Sequence, residues 1–311
     1  YAPGRGLHVG DTGLALGGYA SVNLARDEGG PARLSLDDLS LFVIWDPAPR
    51  LHLFSELEGE DLLEVDDHGH GGTPDATFTA ERVYGDVALS DAVNLRVGKF
   101  LTPVGRWNVI HAQPLVWTTS RPLATFLPFD RHATGVALFG SAFVGEDAVN
   151  YTIYGQPVNQ LDPTSSEVQP AARAIGGRLE WWRGTRFSIG ASSYAFSAHG
   201  SWQALGGLDL AWQADRLQVL GEFVYEGATA GRPLQWGLYL QGAYEVAPRI
   251  FLVGRYERYD QPSPAPSVDL FVGGVAWRPW PFLVVKAEYL AADHPAADSP
   301  PGVKSSVAVL F

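Results

Sequence analysis

Apolar and polar residues alternate along this chain with a period of two. Trp202, Ala204, Gly206, Leu208, Leu210 and Trp212 share one parity, while Gln203, Leu205, Gly207, Asp209, Ala211 and Gln213 share the other. Successive side chains of a strand point to opposite faces, so this segment reads as a strand with one apolar and one mostly polar face. The pattern returns downstream, where Leu217, Val219, Gly221, Phe223 and Tyr225 alternate with Gln218, Leu220, Glu222, Val224 and Glu226. Leu234 to Tyr244 alternates in the same way. Over the whole chain the alternation predicts strands at 12–25, 32–45, 50–60, 77–89, 93–101, 133–144, 148–156 and 172–183. Eight more follow at 186–196, 202–213, 216–226, 233–246, 249–259, 267–278, 282–291 and 303–311. The second strand loses its parity at Asp37-Asp38, the mark of a bulge. Neighbouring segments with carboxylates on the inner face do not build a packed soluble core, and no repeat at propeller spacing is visible, which argues against a sandwich or propeller.

The connections alternate between two kinds. Short ones such as Asp46-Pro47-Ala48-Pro49, Ser90-Asp91-Ala92, Gly145-Glu146-Asp147, Ala214-Asp215 and Pro279-Trp280-Pro281 take turns with longer ones at 26–31, 61–76, 102–132, 157–171, 197–201, 227–232, 260–266 and 292–302. Short turns at one rim and long loops at the other are the asymmetry of an outer-membrane barrel. Aromatic residues mark the same two rims: Trp45, Trp181, Trp182, Trp212, Tyr244, Trp277, Trp280 and Phe311 near the short turns, and Trp202, Tyr225, Trp236, Tyr256 and Tyr289 near the loops. Rings of this kind favour the headgroup level. Ten residues separate Trp202 from Trp212 on one face, which spans roughly 25 Å at the usual strand rise and tilt, the height of a barrel's apolar band. The segment Val303 to Phe311, ending on an aromatic residue, resembles the terminal-strand signal of bacterial outer-membrane proteins. The expected fold is therefore all-β: a transmembrane antiparallel up-and-down β-barrel of about sixteen strands, bounded by twelve and eighteen. It forms a single domain over 1–311, with 1–11 as a periplasmic N-terminal segment.

Composition narrows the picture. Hydrophobic residues make up 46% of the chain, yet the longest apolar runs are five residues, as at Leu41 to Trp45. That excludes a transmembrane helix, which needs about 18, but not a barrel, whose strands expose only alternate residues to lipid. The formal charge of −12 and the absence of a basic stripe make nucleic acid an unexpected partner. Cysteine and methionine are both absent, so no disulfide or thiol chemistry is expected. A chain that opens at Tyr1 without Met is expected to be a processed or trimmed product, in keeping with a removed secretory signal.

Sixteen strands enclose an aqueous lumen, whereas eight are filled by side chains. Candidate pore-lining residues are Glu56, Glu58, Arg82, Asp86, Arg96, Arg178, Glu222, Glu245, Arg255 and Lys286, with Glu180, Asp209, Glu226, Glu257, Asp269, Glu288 and Lys304 beside them. Charges of both signs facing water orient polar solutes in a transverse field; each of them also has the simpler reading of a cross-strand pair. The longest irregular segment, 102–132, is rich in aromatics and Pro, which suggests a packed loop. Either it folds into the barrel as a constriction lined by Arg106, His111, Arg121 and Arg131, or it packs as a lid on the outer rim. Asp66-Asp67-His68-Gly69-His70 is the one cluster with transition-metal donors. Acidic, Gly-rich loop tips are ordinarily just solvated, so no metal is expected at His68 or His70. Neither G-x-S-x-G nor H-E-x-x-H occurs, no catalytic set stands out, and no cofactor is expected.

One stretch carries a family resemblance. Residues 93–108 hold Gly98-Lys99-Phe100-Leu101-Thr102-Pro103-Val104-Gly105, a G-[KR]-F-x-T-P-x-G pattern that resembles phosphate-selective porin O/P-type proteins. Leu51 to Glu60 and Trp117-Thr118-Thr119-Ser120-Arg121-Pro122 look like a branch of the same predicted porins. The resemblance implies a sixteen-stranded, commonly trimeric, diffusive channel whose phosphate selectivity comes from a ladder of inward Arg and Lys. Here such residues are scattered among Glu and Asp. The expected function is a porin of the bacterial outer membrane, a water-filled channel for small hydrophilic solutes or ions. Its expected surroundings are lipid, lipopolysaccharide and two further copies in a homotrimer. The alternatives are a sleeve or anchor for a periplasmic or surface partner, such as a redox conduit, and an outer-membrane enzyme.

Overall fold

A computed structural model describes residues 2–73, 76–161, 171–198, 201–227, 235–262, 265–294 and 300–311. Parts of the expected loops at 61–76, 157–171, 197–201, 227–232, 260–266 and 292–302, and the expected start of a strand at 233, fall outside these residues. Sixteen barrel strands run β1 (Leu14–Asp27), β2 (Ala32–Ala48), β3 (Leu51–Asp66), β4 (Thr77–Ala88), β5 (Asn94–Leu101), β6 (His132–Val144), β7 (Asp147–Gln156) and β8 (Arg173–Arg183). They continue as β9 (Phe187–Ala198), β10 (Ser201–Gln213), β11 (Leu217–Gly227), β12 (Gln235–Ala247), β13 (Ile250–Asp260), β14 (Val268–Trp280), β15 (Leu283–Ala292) and β16 (Gly302–Leu310). Each pairs antiparallel with its sequence neighbour, and β16 returns to β1 through pairs such as Val307 with Val22. Closure leaves no edge strand with unpaired amides, the condition for a sheet to cross hydrocarbon. Two-residue pairings at Leu7–His8 and Gly71–Gly72 add to the rims; the first binds β1 beside the short turns.

The alternation divides inside from outside. On β10, Trp202 is 50% exposed on the outer wall, while Asp209 is 3% exposed on the inner wall. Leu24, Leu57, Val97, Ile153, Leu179, Leu208, Leu240, Leu252 and Phe271 stud the outer face around the circumference. An apolar surface of this extent is unstable in water and stable in lipid, so the barrel is a membrane-spanning one. Two residues depart from their expected places. Trp182 points into the barrel, 5.0 Å from the Arg106 guanidinium, because Ile175, Leu179 and Trp181 hold the outward parity of β8. Asp269 points outward at the loop rim, where it accepts from Tyr256 at 2.5 Å and Arg258 at 2.7 Å, because the inward parity of β14 belongs to Val268, Leu270 and Val272.

The Asp37-Asp38 bulge is present: Ser21 pairs with Asp38 but Val22 pairs with Leu36. β3 runs on past the expected end at 60 to Asp66. A kink at Asp61, with φ of 51°, faces the bulge on β2, and this double irregularity gives the end of β3 the look of a loop in sequence.

Candidate functional site

The segment from Thr102 to Arg131 turns into the barrel and is clamped there by the inner wall. It holds only a four-residue helix, α1 (Trp107–Ile110), and a 3-10 turn at Leu123–Thr125. Irregular backbone of this kind carries amides and carbonyls that need partners away from bulk water. The wall supplies them by charge. Carboxylates take the amides: Glu222 accepts from Trp107 at 2.6 Å, Glu257 from Leu123 at 2.7 Å, and Glu288 from Thr119 at 2.9 Å and Ser120 at 2.7 Å. Cations take the carbonyls: Arg255 donates to Ser120 at 2.9 Å, and Lys286 to Gln113 and Thr118 at 3.0 Å each. Arg278 donates to Pro114 and Val116 at 2.9 and 3.1 Å. Gly105 has φ of 64°, and a Cβ there would stand 1.9 Å from Glu222 Oε2, so the clamp at Trp107 requires glycine beside it.

Apolar packing completes the attachment. Val104, Ala124 and Phe129 pack with inward Phe100, Tyr154, Tyr194, Phe196, Leu205 and Val224. Leu123, with Phe126 and Leu127, packs against Tyr259, Val268, Leu270, Val272 and Leu290. Between β5 and β15 the loop and wall thus form a dry core.

Water has room on the other side, against β1–β3. A cavity of about 280 Å³ is lined by Asp37, Asp38, Glu60 and Asp61 of the wall and by Arg121, Phe126 and Arg131 of the loop. A smaller cavity of about 90 Å³ adjoins it through Asp38, Glu60, Arg121 and Arg131, where Tyr19 and Glu58 face Trp107 and His111. Four carboxylates therefore confront two guanidiniums, with Arg131 3.6 Å from Glu60. Arg121 is held within the loop by Asn108 Oδ1 at 2.8 Å and the Thr125 carbonyl at 2.7 Å. Burial, opposed by the Glu81 carboxylate 3.6 Å away, pushes the His111 imidazole down to about 3, so it is neutral at pH 7.

The remaining expected residues separate into pairs and rim positions. Arg82 pairs with Glu56, Arg96 with Asp86 at 2.8 Å, Arg178 with Asp209 at 2.9 Å, and Arg106 with Glu180 at 3.1 Å. All face inward. Glu245 sits at the short-turn rim, accepting from the Arg249 amide at 2.9 Å. His68 and His70 lie on an exposed hairpin tip around Asp66, their rings 6.3 Å apart, and no metal-holding group of three donors occurs among the described residues. Two residues escape sequence reasoning. Glu81 is fully buried, 2.7 Å from His132, although parity sends it outward with Val83. A bulge, in which Glu56 pairs with Arg82 but Leu57 with Ala80, turns it inward. Asp61 reaches the cavity through its kink. The acidic, adjacent Glu60-Asp61 and Asp37-Asp38 are the only sequence signal for that wall.

No protein-family model matches the chain. An uncharacterized protein of Aquifex aeolicus (strain VF5) is 23% identical over 342 residues, covering 91% of this chain and 76% of that one. Among solved structures, the outer membrane channel DcaP of Acinetobacter baumannii superposes with a TM-score of 0.66 at 11% identity, covering 99% of this chain and all of that one. An anion-selective porin from Comamonas acidovorans gives 0.61 at 15%, with 96% and 98% covered. Salmonella typhi OmpF gives 0.64 at 9%, with 98% and 99% covered. At these identities the likeness is one of fold, and the fold is that of bacterial outer-membrane porins.

Proposed function

We propose that this protein is a porin of the bacterial outer membrane, a water-filled channel for passive diffusion of small hydrophilic solutes or ions. The observation that carries the reading is the inward loop: it packs on the β5–β15 side and leaves a charged cavity along β1–β3. Arg121 and Arg131 on one side and Asp37, Asp38, Glu60 and Asp61 on the other set a transverse field across the constriction. Phosphate selectivity is not part of the proposal, because the inward Arg82, Arg96, Arg106 and Arg178 each face a carboxylate, while Arg278 and Lys286 hold loop carbonyls. A sleeve around a threaded partner would need the volume that the loop fills, and among the described residues nothing in the lumen singles out a catalytic set. A homotrimer suits a barrel of this class; one of the similar structures is a trimer form of OmpT of Vibrio cholerae. Reconstitution into a planar bilayer tests the reading: discrete, stable conductance steps in KCl support a porin, and a silent membrane carrying correctly folded barrel would overturn it.

A further inference from the structure

A separate cavity of about 590 Å³ opens inside the barrel at the short-turn rim, and its chemistry differs from that of the passage above. Pro47, Pro49 and Phe139 give it apolar walls, while Asp46, Arg50 and His52 bring charge and polarity. Phe139 is held in place: the Arg96 guanidinium lies 5.0 Å above its ring and 3.7 Å above that of Tyr84, and binds Asp86 through two 2.8 Å hydrogen bonds. Arg96 and Asp86 therefore neutralise one another and act as a rigid backing for the ring. Two charges remain at the cavity. The Asp46 carboxylate meets only His52 Nδ1, at 2.7 Å, and the Arg50 guanidinium has no partner among the described residues.

A fixed aromatic face beside one carboxylate and one guanidinium is complementary to a zwitterion that carries a ring. We infer that this cavity is a binding subsite for aromatic amino acids, with the ring against Phe139 and the two prolines, the ammonium at Asp46 and the carboxylate at Arg50. The inference rests on the porin reading, since solute reaches the cavity through lumen water. An amino acid with an aliphatic side chain loses the ring contact, and a ring with a single charge loses one of the two ion contacts. Loss of the ring contact weakens binding by about two- to tenfold, and loss of an exposed ion contact by about two- to fivefold.

The test uses the folded barrel in a planar bilayer with KCl on both sides and L-phenylalanine added at the short-turn face. L-Leucine, phenylpropionate and phenethylamine serve as probes that lack the ring, the ammonium or the carboxylate. L-Phenylalanine should produce transient current blocks at concentrations about two- to tenfold lower than leucine and about two- to fivefold lower than the singly charged probes. Asp46→Asn should abolish the preference over phenylpropionate, Arg50→Gln the preference over phenethylamine, and Phe139→Leu the preference over leucine. Equal block by all four compounds, or blocks unaffected by these changes, overturns the subsite while the conductance steps leave the porin standing. Saturation-transfer NMR of L-phenylalanine on the detergent-solubilised barrel reads binding without conduction. A ring signal that Phe139→Leu removes supports the subsite, and no signal overturns it.

Discussion

Replacing Glu288 by alanine should loosen the loop without unfolding the barrel. Its carboxylate accepts two loop amides, Thr119 at 2.9 Å and Ser120 at 2.7 Å, from a position 5% exposed. A hydrogen bond to an ionised acceptor contributes about 1.5–3 kcal/mol, so the pair contributes about 3–6 kcal/mol. Water of the small cavity that Thr119 lines rehydrates the freed amides and recovers about half of that, leaving a net loss of about 1.5–3 kcal/mol. Local opening of the segment should therefore rise about 10- to 150-fold. Hydrogen exchange followed by mass spectrometry on peptides from 113–122 reads this directly, with strand peptides from β12 as the control. Glu288→Gln retains one carbonyl acceptor and should fall between the wild type and the alanine variant. If exchange in 113–122 accelerates by less than about twofold in Glu288→Ala, the carboxylate is not a clamp and the rigid-loop argument fails.

Removing both guanidiniums from the passage, as Arg121→Ala with Arg131→Ala, leaves four carboxylates facing it. The cation-over-anion permeability ratio from reversal potentials should then rise by about twofold or more. Gly98 has φ of 137°, and a Cβ there would stand 2.2 Å from the Val83 carbonyl. Gly98→Ala should therefore cost roughly 1–3 kcal/mol and lower the urea midpoint in detergent. Acid should weaken the loop through His111. Its folded pKa, about 3, lies below the ordinary value of about 6.5, so the unfolded state binds the proton first, and stability present above pH 6.5 is lost as pH falls toward 3. Melting curves from about pH 7 to about pH 4 should show a smaller fall for His111→Gln than for the wild type; an equal fall would remove His111 from the explanation.

Much of the barrel is legible because lipid outside and water inside impose opposite demands on successive residues, and the pattern survives in Trp202–Trp212 and its neighbours. The Asp37-Asp38 bulge shows itself as two adjacent polar residues that break parity. The bulge at Glu81 does not, because Ala80 and Arg82 on either side satisfy the ordinary alternation. Trp182 and Asp269 lie on the face opposite to the expected one for a related reason: at strand ends a ring or a charge is tolerated on either face, so residue type there says little about direction. The clamp lies further out of reach. Glu222, Glu257 and Glu288 are recognisable as inward charges, but their partners are loop amides 115, 134 and 168 or 169 residues away. A carboxylate that binds backbone selects no particular side chain in its partner, so it leaves no matching residue in the sequence.

The central claim is that the passage runs between the inward loop and the β1–β3 wall, with the loop setting its width. Deleting residues 110–126 and measuring single-channel conductance of the refolded barrel tests it most directly. The account predicts stable channels whose conductance rises by about twofold or more, since the segment removed fills the larger side of the lumen. An unchanged conductance, from a barrel whose folding is verified by heat-modifiable gel mobility, would contradict it.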